Sequence, residues 1–147
     1  MMIQQILDTV TSFDRVLVLA PDASSGAPEI AWGDYFFYYA PDGRVPANVQ
    51  PYGTIVTKNY PGDTESDLEA EDRWRVNIHV GRTALERLTG QGVTDPAEPD
   101  VVLPHPVYGR QGWIAVVNPG ERTSAQVLDL LRDAHERAKD RVVRKLG

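Results

Sequence analysis

Arg73-Trp-Arg-Val-Asn-Ile-His-Val80 is the stretch that decides the fold. Trp74, Val76, Ile78 and Val80 fall on one side of an extended chain. Arg73, Arg75, Asn77 and His79 fall on the other, because successive side chains of a strand point to opposite faces. A strand apolar on one face and polar on the other belongs to a sheet covered by helices on one side only. The covering helices are readable further out. Ile3, Ile6, Leu7 and Val10 recur at helical spacing, which predicts a helix at the N-terminal side. Thr123-x-x-Gln126 reads as a capping box opening a long helix. Its apolar stripe is Val127, Leu128, Leu131, Ala134, His135, Ala138 and Val142.

Between these helices lie short β-prone runs at 15–20, 54–57, 101–103 and 112–118. Two more, 29–32 and 35–39, flank Gly33-Asp34 and predict a hairpin. Thr83-x-x-Glu86 predicts a brief helix stopping at Gly90. The segments 21–28 and 91–100 read as loops, rich in proline and small polar residues. The stretch 61–72 holds six acids and no base, and is expected to be a solvated loop. Strands that follow one another through short connections pair antiparallel. The predicted fold is therefore a single-domain α+β two-layer sandwich over residues 1–147. Its sheet is mainly antiparallel, with the N- and C-terminal helices packed on one face.

Composition bounds the function. The chain has 147 residues, 15 Lys+Arg against 21 Asp+Glu, and a formal charge of −6. Outside 61–72 acids and bases balance, so the acidity belongs to one loop. A net negative chain is repelled by phosphate backbones, which ranks DNA low as a partner without excluding it. Zero cysteines exclude disulfides, thiolate metal sites and a cysteine nucleophile. No apolar run approaches the ~20 residues of a membrane span. MMIQQILDTV has no basic segment before its apolar residues, so a cytoplasmic protein without a membrane partner is expected. GxGxxG, GxxxxGK[ST] and GxSxG are all missing, and no cofactor is expected.

The candidate ligand-binding residues are Arg73, Arg75, Asn77, His79, His105 and Tyr108. Arg73, Arg75 and His79 would stand in a row about 6–7 Å apart on the polar strand face, a grip for an acidic small molecule, with Asn77 reading it by hydrogen bonds. The competing expectation is that the acids of 61–72 pair with these arginines. Pro104-His-Pro-Val-Tyr-Gly109 presents an imidazole and a phenol on a backbone stiffened by two prolines. That suits acid–base work or a ligand contact. An enzyme would need His79, His105 and Tyr108 to converge. His79, His105 and Asp100 match no metal-ligand spacing, and no metal is expected. A calcium loop starting at Asp63 would need glycine and glutamate where Leu68 and Trp74 stand. His135, on an apolar stripe, reads as a satisfied core residue. The aromatic cluster Trp32, Tyr35–Tyr39 and Tyr52 splits by alternation between core and groove.

Several strings carry a resemblance. They are Glu29-Ile-Ala-Trp-Gly-Asp34, Phe36-Phe-Tyr-Tyr-Ala-Pro-Asp-Gly43, Trp74-Arg-Val-Asn-Ile-His-Val-Gly-Arg82, and Pro104–Tyr108 followed by Gly112-Trp-Ile-Ala-Val116. The chain resembles an actinobacterial family of unknown function, and more broadly the YjbR/MmcQ-like group, whose fold is also called CyaY-like. The resemblance implies an α+β fold and, from the YjbR-like proteins, a proposed DNA-binding role. It supplies no catalytic residues. Asp34 stands where the broader group tends to carry lysine, and Ile78-His79 where it tends to carry Leu-Lys. The leading expectation is thus a small ligand-binding or interaction domain, with DNA-binding accessory protein second and undescribed enzyme third. A homodimer stays open.

Overall fold

The computed structural model describes residues 1–90, 92 and 94–146. Helix α1 (Ile3–Val10) leads into strand β1 (Val16–Leu19), and β2 (Tyr35–Tyr39), β3 (Gly53–Val56) and β4 (Arg75–His79) follow. Helix α2 (Arg82–Thr89), β5 (Leu103–Pro104), β6 (Trp113–Val117) and α3 (Ser124–Leu146) complete the order. The strands form one sheet in the order β1-β2-β3-β4-β6-β5, with every neighbouring pair antiparallel. The α+β sandwich is the observed fold.

The alternation in β4 sets the layers. Val76 and Ile78 are fully buried on the helix side, beside Phe37, Ile55, Ile114 and Val116. Helix α1 adds Ile6 and Val10, and α3 adds Val127, Leu131 and Ala134. Each buried Val, Ile, Leu or Phe among these contributes about 1.5–3 kcal/mol of transfer free energy. Helix α3 lies close on the sheet because β3 begins with glycine. A Cβ on Gly53 would stand 2.9 Å from Leu131 Cδ2 and 3.2 Å from Phe37 Cδ2. His135 is buried here, with Nε2–H donating to the Asp14 carbonyl and the Tyr52 hydroxyl donating to Nδ1.

Four expectations are corrected. Residues 29–31 form a single 3-10 turn and not a strand, so β2 pairs with β1 and β3. Pro28 opens that turn, and the Trp32 indole N–H closes it on the Ala27 carbonyl. Neither capping box is used. Helix α2 starts two residues early, after Gly81, whose φ of 86° turns the chain sharply. At α3 the cap comes from Asp100, far away in sequence. One of its carboxylate oxygens accepts from Gly120 N–H, Thr123 N–H and the Thr123 hydroxyl, and the other from Arg122 N–H. Finally, the acidic loop is not wholly solvated: Ser66 and Leu68 are buried.

No helix among the described residues is long and apolar enough to cross a membrane.

Candidate functional site

The face of the sheet away from α1 and α3 carries the chemistry. One cross-strand row runs Phe36, Thr54, Asn77, Ala115, Leu103 by register. The next row runs Val56, Arg75, Val117. The loops after β3 and β5 fold over these rows, so the polar face is roofed. Arg75 is 1% exposed and Asn77 3%.

A buried arginine must place five N–H groups. Arg75 Nε donates to Asn77 Oδ1 at 2.7 Å. Its Nη1 donates to Asp63 Oδ1 and Ser66 Oγ, both at 2.9 Å, and Nη2 to Asp63 Oδ2 at 2.5 Å. Nη2 also stands 3.1 Å from His105 Nε2. The Arg–carboxylate fork is the strong bidentate kind. Burial pushes the Asp63 carboxyl up, but the hydrogen bonds and charge of Arg75 outweigh it and hold the pKa below the usual value.

The His105 ring is fixed by its own backbone. Val107 N–H and Tyr108 N–H both donate to Nδ1 at 3.0 Å. A nitrogen accepting two hydrogen bonds carries no proton, so the neutral ring holds its proton on Nε2. That atom lies 3.7 Å from Asp63 Oδ2. Burial first, then the Arg75 charge, drive the pKa of His105 down to about 4, against the pull of Asp63. The imidazole is neutral at pH 7. Neither ring nitrogen is free to accept a proton from a substrate.

Above this network lies a cavity of about 440 Å³. Phe36, Tyr60, Tyr108 and Trp113 supply aromatic wall, and Thr54, Asn77 and Asp63 polar floor. Asn77 Nδ2 donates to Thr54 Oγ1 at 2.9 Å. Tyr60 donates its hydroxyl to Asp34, a fully buried carboxylate that also accepts from Thr57 and pairs with Lys58 at 3.0 Å.

The six sequence candidates therefore divide. Arg75, Asn77, His105 and Tyr108 line this cavity together, with the His105 and Tyr108 rings 5.0 Å apart. Arg73 does not join them. Its guanidinium donates to the carbonyls of Ser66, Asp67 and Ala97 and ties two loops together. His79 lines a different cavity. The row of Arg73, Arg75 and His79 is thus not one open surface, and four of the five Arg75 N–H groups are already engaged by Asn77, Ser66 and Asp63. Asp63, Ser66, Thr54, Tyr60, Phe36 and Trp113 were not among the candidates. Two of these left a trace in the sequence: Asp63 as one of six acids upstream of two arginines, and Phe36 as a member of the aromatic cluster expected to split between core and groove.

With that geometry in hand, comparison with known families matches residues 1–147 to a family of unknown function, DUF6194. The chain belongs to the DUF6194 family. No curated protein and no solved structure matches it.

The second cavity of this DUF6194 protein, about 290 Å³, lies where α3 passes the ends of the central strands. It shares Gln50, Pro51 and Trp113 with the larger one. His79 donates Nε2–H to the Gln111 carbonyl at 3.0 Å, and its ring packs edge-on to Trp113. Its pKa is lowered by burial despite that bond, with Arg141 and Arg137 adding to the effect. Among the described residues no group of three or more His, Asp or Glu is placed to hold a metal ion.

Proposed function

We propose that this chain is a small-molecule binding domain whose site is the 440 Å³ cavity. The ligand is an uncharged planar molecule with hydrogen-bonding edges. The observation that carries this is the charge balance of the floor. Arg75 and Asp63 neutralise one another through a bidentate fork, so a charged ligand would find no counter-ion. Asn77 has a second amide hydrogen, and Thr54 a hydroxyl proton, beyond the bond they share. Aromatic walls with few placed polar groups are the usual make-up of a small-ligand pocket, and the volume lies in the usual ~300–1,000 Å³ range.

The test is a fragment set of uncharged heteroaromatics, read by amide chemical shifts. Saturable shifts at Thr54, Asn77 and Tyr108, lost in Thr54→Leu, support the reading. Fragments that saturate only at other residues, or none that saturate, refute it.

A second reading, the DNA-binding accessory role that the YjbR resemblance implies, is favoured by one observation. The C-terminal half of α3 carries Arg137, Arg141, Arg144 and Lys145. Retardation of duplex DNA at low salt, reduced in Arg141→Gln with Arg144→Gln, supports it. No retardation at tens of micromolar protein ends it.

A further inference from the structure

The smaller cavity carries a charge that the larger one lacks. Arg137, Arg141 and Lys145 follow each other at four-residue steps, which puts them on one stripe of α3. Arg137 is anchored, donating from Nη2 to the His79 carbonyl at the end of β4. Arg141 and Lys145 line the cavity, and no aspartate or glutamate does. Among the described residues neither enters an ion pair, the bridges of α3 being Arg132–Asp129 and Lys139–Asp14. Both side chains are exposed, so their charges cost little to keep and are free to turn towards a ligand. Behind them the wall is apolar and aromatic: Tyr38, Trp113 and the half-buried Val142.

We propose that this cavity is a second binding site, for a small aromatic anion such as an aryl phosphate or aryl carboxylate. The ring lies against Trp113 and Tyr38, and the anionic group reaches Arg141 and Lys145. Neither half suffices alone. A bare anion meets two exposed, flexible cations in water, where such contacts are weak. A bare ring leaves those cations unanswered. A cavity of about 290 Å³ sits at the small end of ligand pockets and suits a single ring. His79 does not oppose the anion and adds no third cation. The depressed pKa described above leaves it neutral at pH 7, contributing a ring face next to Trp113.

The site adjoins the uncharged-ligand cavity and shares Trp113 with it, and the variants, at residues that line only one of the two, separate them. Phenyl phosphate, benzoate, inorganic phosphate and phenol are titrated into the full chain by calorimetry. The expected result is saturable binding of phenyl phosphate or benzoate at least tenfold tighter than either phosphate or phenol. Arg141→Gln with Lys145→Gln weakens it at least tenfold, while Thr54→Leu leaves it unchanged. Whichever of the two aryl anions binds more tightly identifies the anionic group. Thermal melting of the double variant, at the parent temperature, shows that the loss is not unfolding. No saturable binding of either aryl anion overturns the proposal, and so does equal affinity in the double variant.

Discussion

At the scale of single residues, the Arg75–Asp63 fork is worth less as glue than as a constraint. Burying both charges costs desolvation that their attraction roughly offsets, whereas stranding one of them is expensive. Asp63→Ala should therefore lose about 3–5 kcal/mol of unfolding free energy, measured by urea titration. The double variant Arg75→Met with Asp63→Leu should recover most of that loss, because nothing charged is left in the dry layer. If both variants fall equally, the pair is not what the layer is built around. Acid sensitivity belongs here too. His79, His105 and His135 all have pKa values below the ordinary 6.5, each chiefly through burial, with His105 at about 4. The unfolded chain takes up protons near 6.5 while the folded chain resists them, so stability is full above that pH and falls below it. His105 extends the fall to about pH 4, and His105→Gln should flatten the lower part of the profile. An urea midpoint that stays constant from pH 7 to 4.5 would contradict all three assignments.

At the scale of elements, the start of α3 depends on a residue from another loop. Asp100 takes a left-handed conformation, φ 57°, and is held by its own N–H on the Val117 carbonyl at 2.8 Å. From there its carboxylate collects the N–H groups of Gly120, Arg122 and Thr123 in the turn that leads into the helix, and these bonds with the Thr123 hydroxyl hold its pKa low against burial. Asp100→Ala should cost about 1–2 kcal/mol, the range for a lost helix cap, and Asp100→Asn visibly less, as seen by thermal melting. The same element shows what a sequence can and cannot reveal. The long stripe from Val127 to Val142 was legible because periodicity is local. The cap was not, because its acceptor sits more than twenty residues away and looks like any loop aspartate. The 29–32 run failed for the opposite reason: β-propensity over four residues is overruled by one proline and one indole hydrogen bond. In the candidate site, Arg75, Asn77, His105 and Tyr108 were legible from strand alternation and a proline-stiffened turn. The choice of Asp63 among six acids, and the departures of Arg73 and His79, depend on how two loops fold back, which no local pattern encodes.

At the scale of the whole molecule, the sheet and α3 share one tight contact at Gly53. That residue has no unusual φ, so its requirement is for space and not for conformation. Gly53→Ala should cost about 1–3 kcal/mol through overpacking against Leu131 and Phe37. Leu131→Ala in the same chain should relieve the clash, so the two changes will be less than additive in a denaturation cycle. The contact has a consequence for how the chain is made. Helix α3 follows every strand in the sequence, yet it supplies Val127, Leu131 and Ala134 to the centre of the core. Until it emerges, the sheet has Phe37, Ile55, Val76 and Ile78 on a face that α1 alone is too short to cover. Synthesis runs in one direction at about 5–20 residues per second, so each nascent chain spends seconds as a sticky, half-roofed sheet. Chains stalled on the ribosome before residue 123 should be cut readily by protease, and chains stalled well past 146 should resist. Closure of this sheet is gated by the arrival of α3.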